Sequence, residues 1–332
     1  MNKLNISISP HIHCSDSIDR RMWNVVIAMI PALVVALWSF GLPALWTTLL
    51  CVVSCLLTEW VVNRFMFHRP LTLTNGSALI TGLLLAFNLP CIIPWWMAII
   101  GSIVAIGIAK MSFGGLGCNI WNPALVGRVF LLISFPAAMT TWPTGVESGY
   151  DTIAGAAAAS GASAHADAST GATLLTYLNS GHANLSEYNF LDMAVGQMNG
   201  SLGEVGGIAI LIGLAYMLAM RTITWHIPLT VIGSAALFSW AFGGNPLLDI
   251  FAGGLLLGAV FMATDYVTSP MTHIGQFIYG FMIGFITIII RRFGAYPEGM
   301  SFAILLMNSF VPLINKYCRP KIFGEKERRV MA

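Results

Sequence analysis

The stretch MWNVVIAMIPALVVALWSFGLPALWTTLLCVVSCLLT, residues 22–58, contains no Asp, Glu, Lys or Arg. A helix needs about 20 predominantly apolar residues to cross the hydrocarbon layer of a bilayer. This stretch is therefore long enough for two crossings, and Gly41-Leu42-Pro43 marks the turn between them. The charge-free stretch 70–109 predicts a second pair of crossings, with its turn at residues 88–90. These two stretches already indicate a polytopic membrane protein.

The composition of the whole chain agrees with these stretches. Of 332 residues, 57% are hydrophobic and 9% are charged, whereas an ordinary soluble domain is about 25% charged. The mean hydropathy of +0.78 is too high for one soluble core. The sequence has no Walker loop, no HExxH, no GxGxxG that opens a helix after a strand, and no basic patch with RNA-binding aromatics. These absences argue against soluble nucleotide binding and against nucleic acid as a partner.

Hydropathy predicts an all-α polytopic membrane protein of about ten transmembrane helices. The predicted spans are roughly 24–40, 43–62, 74–89, 92–110, 122–140, 204–220, 225–242, 248–264, 272–291 and 298–316. One long hydrophilic connection divides the spans five and five, which suggests two inverted halves. We therefore expect an N-terminal membrane half at 1–140, a loop at 141–203, a C-terminal membrane half at 204–320 and a basic tail at 321–332.

The basic residues predict the orientation of the chain. With both termini in the cytoplasm, fourteen of the 16 Lys and Arg residues lie on or near the cytoplasmic face, as the positive-inside rule requires. Arg291 and Arg292 are the two exceptions. The loop 141–203 contains acidic residues but no Lys or Arg, so it is expected on the extracytoplasmic side. Asp249 is expected at the outer surface.

The most distinctive local pattern is the glycine- and asparagine-rich segment 113–123, FGGLGCNIWNP. Irregular backbone at membrane depth must pack in protein or line a polar cavity. One interpretation is a re-entrant loop that binds a ligand or an ion through Asn119 and Asn122. The other is a tight cytoplasmic turn in which Asn122 caps the fifth span and Pro123 occupies its first position.

Two further segments contain candidate functional groups. Asp265, in MATDYVTSP (262–270), ends an apolar span, and it is either an ion or proton relay or a solvated carboxylate at the interface. Ser169-Thr170-Gly171-Ala172-Thr173 follows an alanine-rich run in the long loop. From the residues alone this segment is a flexible linker ending in a Ser/Thr turn. Thr173 either caps a short helix or bears a phosphoester.

Taken in order, these motifs resemble one family. Ser9-Pro-His11, LTNGSALITG (73–82) with AFNLP (86–90), GGLGCNIWNPA (114–124), STGAT (169–173) and TDYVTSP (264–270) are similar to the family that comprises the D subunit of the Rnf complex and the B subunit of the Na⁺-pumping NADH:quinone oxidoreductase. The resemblance extends over nearly the whole chain, from about residue 7 to residue 320.

The resemblance implies a redox function. Rnf complexes pass electrons between ferredoxin and NAD⁺ and couple this transfer to Na⁺ or H⁺ translocation across the cell inner membrane. In this family FMN is attached by a phosphoester to a threonine, which corresponds to Thr173 here, with Ser169, Thr170, Gly171 and Ala172 as the surrounding motif. A separate flavin transferase makes the attachment. The implied partners are the A, B, C, E and G subunits of the Rnf complex.

The resemblance also implies a second, non-covalent flavin, riboflavin, within the membrane. Asn119, Asn122 and Asp265 are then candidates for that flavin pocket or for an ion path. Without the resemblance, two other functions stay open: a channel or secondary transporter for a small polar solute, and a purely structural assembly component. The Thr173 motif distinguishes them, because a passive transporter has no use for a flavinylation site.

Overall fold

The structure is a computed structural model, and it describes residues 17–68, 73–141, 200–294 and 298–319. All regular elements in these ranges are helical, which agrees with the predicted all-α class. The helices are α1 (Ile18–Phe40), α2 (Leu42–Val61), α3 (Ser77–Phe87), α4 (Trp95–Ile103), α5 (Pro123–Ser134), α6 (Pro136–Met139), α7 (Gly207–Ala219), α8 (His226–Ala241), α9 (Pro246–Phe251), α10 (Leu255–Leu257), α11 (His273–Phe293) and α12 (Met300–Tyr317).

Three of these helices continue as π-helical turns, and one short 3₁₀ helix precedes α3. The π-helical segments are Val62–Phe67 after α2, Val104–Met111 after α4 and Gly258–Met262 after α10, and the 3₁₀ helix is Leu73–Asn75. π-helical turns are rare and often lie near functional sites. Here the segments after α4 and α10 lead directly into the two motifs that the sequence singled out.

Local sequence explains where the first two helices begin and end. The Ser17 side chain accepts a hydrogen bond from the Arg20 amide at 3.2 Å and so caps α1. Gly41, with φ of 65°, ends α1, and its amide donates to the Leu37 carbonyl at 2.9 Å. Pro43 lies in the first turn of α2, where its missing N–H is harmless. The turn predicted at residues 41–43 is therefore confirmed.

The exposed surface of the helices is strongly apolar. In the described ranges, three helices are long and apolar enough to cross a membrane: α1, α2 with its π-helical extension, and α11. Large side chains such as Trp38, Trp46 and Leu57 are more than half exposed. Soluble monomers rarely expose so much contiguous apolar surface. Lipid is the solvent that this surface requires, and the chain is an all-α polytopic membrane protein.

Two of the helices are short and lie inside the bundle. Helix α3 has 11 residues, a length of about 16 Å, or roughly half the thickness of the hydrocarbon layer. Helix α10 and its π-helical extension are shorter still. The prediction of one continuous span at 248–264 is wrong, because the chain breaks between α9 and α10. The break is made by Ala252 in extended conformation and Gly253 at φ of 69°.

Asp249 is another point where the structure differs from the sequence-based expectation. Asp249 is buried instead of lying at the surface. Its carboxylate pairs with Arg292 at 2.9 Å, and its backbone carbonyl accepts a hydrogen bond from Arg291. A buried carboxylate requires such a partner. The two basic residues that were exceptions to the charge bias thus connect α9 to α11 through polar contacts.

Close helix packing around glycine predicts one strong effect on stability. A β-carbon at Gly284 of α11 would lie 2.8 Å from the Val231 carbonyl and 2.9 Å from the Ala235 amide of α8. We expect Gly284→Ala to cost about 1–3 kcal/mol through overpacking and to lower the melting temperature of the purified protein. Gly233→Ala on α8 is the matched control, since nothing lies within 4 Å of its β-carbon position. Equal melting temperatures for the two variants would contradict this packing.

Candidate functional site

A cleft lies between elements from the N-terminal and C-terminal parts of the chain. Its walls are mainly apolar and include residues of α1, α3, α7 and the π-helical turn after α10. Polar groups are present as well. Those that line the cleft include Ser77, Thr81, Lys110, Asn119, Asn122, Thr264 and Asp265. The structure therefore brings together the three candidates Asn119, Asn122 and Asp265, which are up to about 150 residues apart in sequence.

Asn122 caps α5 and also connects it to the π-helical turn after α10. Its Oδ1 atom accepts a hydrogen bond from the Ala124 amide at 3.1 Å, and Pro123 is the first residue of α5. The capping interpretation is confirmed. In addition, Asn122 Nδ2 donates to the Met262 carbonyl at 3.3 Å. The cap is thus tied to the end of the π-helical turn after α10, so the two interpretations of this residue do not exclude each other.

The turn before Asn122 depends on three glycines. Gly114, Gly115 and Gly117 have φ of 118°, 100° and 87°, values that residues with a β-carbon rarely adopt. These conformations turn the chain tightly between the π-helical turn after α4 and the start of α5. They also place Leu116 and Asn119 at the wall of the cleft. The Asn119 side chain donates to the Trp121 carbonyl at 3.0 Å, which fixes its position there.

Asp265 lies in a turn and is half-buried. Its Oδ2 atom accepts from the Thr268 hydroxyl at 3.2 Å, and its Oδ1 atom accepts from the Val267 amide at 3.5 Å. The Ser269 amide donates to the Asp265 carbonyl at 3.0 Å. These bonds hold the carboxylate at the wall of the cleft, beside Asn119 and in the field of Lys110. The Asp265 carboxylate and the neighbouring Asn119 and Lys110 side chains can therefore bind or orient a ligand in the cleft.

Sequence analysis missed the buried ion pair next to this wall. Lys110 Nζ lies 2.7 Å from Glu59 Oε2, and each side chain is only 3% exposed. Lys110 also donates to Ser77 Oγ at 2.8 Å, and Ser77 Oγ donates to Asn75 Oδ1 at 3.0 Å. From the sequence, Lys110 contributes only to the predicted orientation of the chain in the membrane. The signal in the sequence was an acidic and a basic residue at the ends of the second and fourth predicted spans.

The ion pair predicts a measurable loss of stability. Lys110→Met removes the ammonium group that compensates the buried Glu59 carboxylate, and breaking such a pair costs about 3 kcal/mol or more. We expect a clearly lower melting temperature for the purified protein. The double variant Lys110→Met with Glu59→Gln removes both charges and should recover most of the loss. If the double variant melts lower than Lys110→Met, the pair is not the source of the effect.

The predicted flavin attachment motif lies outside the described residues. This applies to Thr173 and to its neighbours Ser169, Thr170, Gly171 and Ala172. The geometry above therefore concerns only the second group of candidates, Asn119, Asn122 and Asp265.

Comparison with known proteins gives a consistent result. Residues 5–324 match the model of the NQR2, RnfD, RnfE family. The chain is 41% identical to the D subunit of the proton-translocating ferredoxin:NAD(+) oxidoreductase complex of Clostridium ljungdahlii, over 98% of this chain and 97% of that protein. It is 42% identical to the D subunit of the Na(+)-translocating ferredoxin:NAD(+) oxidoreductase complex of Acetobacterium woodii, with the same coverage. It is also 42% identical to the D subunit of the ion-translocating oxidoreductase complex of Stutzerimonas stutzeri, over 94% of both proteins. The chain belongs to the NQR2, RnfD, RnfE family.

Proposed function

We propose that this chain is the D subunit, a membrane component, of an ion-translocating ferredoxin:NAD⁺ oxidoreductase complex. Two of the relatives named above are such subunits, and the similarity extends over nearly the whole length of each. The observation that carries the proposal in this chain is the cleft that gathers Asn119, Asn122 and Asp265. The chain acts as part of a redox-driven translocase together with the A, B, C, E and G subunits of the Rnf complex. Ferredoxin and NAD⁺ react elsewhere in the complex.

Thr173 is the proposed attachment site for FMN. The motif 169–173 has small residues around a threonine hydroxyl, in a loop without lysine or arginine. Gly171 and Ala172 leave the hydroxyl accessible to a flavin transferase. A phosphoester at Thr173 keeps the cofactor from dissociating and holds it near the neighbouring carriers. Bound FMN would supply one- and two-electron redox chemistry, while the protein sets its position and potential.

We propose that the cleft holds a second flavin, non-covalent riboflavin. Sites for small molecules and cofactors are concave and mostly apolar, with a few polar groups that fix the orientation of the ligand. The apolar side chains of the wall, such as Ile80, Leu84 and Phe261, suit a flat aromatic ring, and polar residues lie in the segments 110–123 and 264–267 and on α3. In this arrangement Asn122 holds the wall together, and Asn119 and Asp265 face the bound ring or the coupling ion.

We also propose that the membrane part consists of two inverted halves, at 1–140 and 204–320. Three kinds of packing support this arrangement. The first helix of each set of five packs on the other, α1 on α7, and so do the fifth helices, α5 and α12. The second packs on the fourth within each set, α2 on α4 and α8 on α11. In addition, the third helix of each set is short: α3 in the first set and α10 in the second.

The proposed orientation has both termini in the cytoplasm and the loop 141–203 outside the cell inner membrane. Its support is the distribution of basic residues. Of the two exceptions, Arg292 pairs with the Asp249 carboxylate and Arg291 donates to the backbone carbonyls of Asp249 and Ala252, so both side chains have partners within the protein. With the Thr173 flavin outside and ferredoxin inside, electrons cross the membrane and return, which is the step that coupling to Na⁺ or H⁺ requires.

Filling the cleft tests the proposed function. We expect Leu116→Trp, at the cleft wall, to weaken non-covalent flavin binding about tenfold, since overpacking costs about 1–3 kcal/mol. The purified complex should then contain less acid-extractable flavin and show slower ferredoxin-dependent NAD⁺ reduction. Ile120→Trp is the control, because Ile120 lies outside the cleft lining and is 43% exposed.

The same experiment distinguishes the proposal from a solute transporter. If this chain were a solute transporter, the purified complex would contain no flavin, and neither variant would change an electron-transfer rate. A wild-type complex without extractable flavin would remove the riboflavin proposal. A wild-type complex without ferredoxin-dependent NAD⁺ reduction would remove the proposed function as a whole.

A further inference from the structure

The lining of the cleft is exposed in one part and buried in the rest. Two lining residues are exposed, Tyr266 at 45% and Leu116 at 37%. Other lining residues, such as Met217, Leu84 and Phe261, are at most 4% exposed. A ligand that enters the cleft from solvent therefore passes the part where Tyr266 and Leu116 lie.

The turn between α7 and α8 borders this opening. It comprises residues 220–225 and contributes Ile223 to the lining of the cleft. Its Thr222 carbonyl accepts a hydrogen bond from the hydroxyl of Tyr266. Because Tyr266 is one of the two exposed lining residues, this bond joins the α7–α8 turn to the edge of the opening.

Side chains from two other elements hold the α7–α8 turn in place. Arg21, in the first turn of α1, donates from Nη1 to the Arg221 carbonyl at 2.7 Å. Tyr266 follows the π-helical turn after α10 and donates to the next carbonyl, that of Thr222. Both bonds end on the backbone of the α7–α8 turn, so they fix the position of the turn itself. Loss of either donor would loosen it.

The backbone of the α7–α8 turn is strained at Arg221. Its φ is 51°, a value that residues with a β-carbon rarely adopt. The Arg221 amide donates to the Leu218 carbonyl at 3.1 Å and the Thr222 amide to the Met217 carbonyl at 2.9 Å. This is the Schellman pattern, in which glycine is the usual residue at the position of Arg221. Such strain persists only where surrounding contacts impose it, and it is common in segments that switch between conformations.

The C-terminal end of the α7–α8 turn is anchored to α11. Thr224 Oγ1 donates to Gln276 Oε1 at 3.1 Å, and the Trp225 ring packs edge-to-face on Phe277 with centroids 6.1 Å apart. These contacts lie beyond Ile223, the residue that lines the cleft. The turn can therefore move at Arg221 and Thr222 while its other end stays on α11.

We propose that the α7–α8 turn is a lid on the cleft, that the bonds from Arg21 and Tyr266 keep it closed, and that a ligand enters and leaves while it is open. In the open position the Arg221 and Thr222 carbonyls accept hydrogen bonds from water instead. The net cost of this exchange is small, so local opening is frequent. That the ligand is a flavin rests on the proposed function, whereas the movement of the lid does not.

A lid of this kind acts on rates and leaves affinity unchanged. Neither bond is made to the ligand, because Arg21 and the Tyr266 hydroxyl donate to the backbone of the lid. Weakening either bond raises the open fraction by the same factor with and without ligand, so entry and release are accelerated equally. Loss of a side chain that binds the ligand would instead change the affinity.

Cysteine labelling of the purified complex in lipid nanodiscs tests the lid. The reporter is Thr81→Cys, at the cleft wall and 7% exposed, and its reaction with a water-soluble maleimide is followed by mass spectrometry of the peptide. Adding Tyr266→Phe should make this labelling about fivefold faster, the effect of one lost hydrogen bond on the open fraction. Arg21→Met should act in the same direction. A flavin in the cleft must leave by the same route before the cysteine reacts, so the expectation holds with or without it.

Each variant has a matched control that keeps both bonds to the lid. Tyr317→Phe makes the same change at an exposed tyrosine at the end of α12, and Arg20→Met removes the exposed arginine next to Arg21. Added to the reporter, both should leave its labelling rate unchanged. Cys51 and Cys55 are buried outside the cleft lining, and their labelling measures loosening of the whole protein.

Two results would overturn the proposal. Tyr266→Phe and Arg21→Met label the reporter at the rate of their controls, or Cys51 and Cys55 become reactive to the same degree, which would assign the effect to general loosening. If Tyr266→Phe does not assemble, Arg21→Met alone decides. Unchanged labelling in a complex that contains flavin removes the lid and leaves the proposed function. Faster labelling confined to the reporter supports the lid even in a complex without flavin.

Discussion

Thr173→Ala is expected to abolish the covalent flavin completely. The threonine hydroxyl is the oxygen that the phosphoester would use, and alanine has no oxygen at that position. After coexpression with the flavin transferase, the denatured wild-type chain should fluoresce as a flavin band in a gel, and the Thr173→Ala chain should be dark. Because the substitution lies in a hydrophilic loop, the amount of chain in the membrane should not change.

The matched control is Thr176→Ala, the same substitution three residues further along the loop. It should keep full fluorescence, since it lies outside the motif 169–173. A fluorescent Thr173→Ala chain would show that the flavin is attached elsewhere. A dark wild-type chain, with the transferase active on another substrate, would remove the covalent cofactor and leave the transporter or scaffold function.

Asp265→Asn is expected to separate electron transfer from ion translocation. The amide has nearly the shape of the carboxylate: its oxygen can still accept from the Val267 amide, and its NH2 group can donate to the Thr268 hydroxyl oxygen, but it carries no charge. A cation that uses this carboxylate would lose its partner, and we expect ion uptake to fall on the order of tenfold. Ferredoxin-dependent NAD⁺ reduction should change far less. Both rates are measured in liposomes that contain the purified complex.

Asp19→Asn is the control for that experiment. Asp19 is an exposed acidic residue in the first turn of α1, and its charge has no place in the proposed route. The variant should behave as the wild type in both assays. Normal ion uptake by the Asp265→Asn complex would remove Asp265 from the ion path. A proportional loss of both rates would instead assign Asp265 to flavin binding.

Elements that depend on neighbouring residues were predictable from the sequence. The turn at Gly41 and the cap formed by Asn122 and Pro123 are examples, because each is made by a side chain and the backbone within two or three positions. The break in the predicted span 248–264 was not predictable from hydropathy. Ala252, Gly253 and Gly254 are apolar or small, so their hydropathy is that of a continuous apolar helix although they interrupt it.

The site was predictable only in part, for a physical reason. Asn119, Asn122 and Asp265 were recognisable because amides and a carboxylate are costly at the ends of apolar spans. The pairing of Lys110 with Glu59, and the burial of Asp249 beside Arg292, depend on which helices pack together. That packing is set by many small contacts, such as those of Gly284 against α8, which the pattern of polar and apolar residues does not encode.

The shortness of α3 and α10 has a consequence for how the protein enters the bilayer. A segment of about 16 Å cannot bridge the hydrocarbon layer as an independent unit, so neither helix is stable there before its neighbours arrive. The longer helices α1, α2 and α11 can partition into lipid as they leave the ribosome. Helix α3 packs on α1, α2, α4 and α5, whereas the π-helical turn after α10 packs on α12, which follows it in the chain. The interior is therefore complete only once α12 has been synthesised, and a ribosome-bound fragment that stops before α12 is left with an unfinished interior in the membrane.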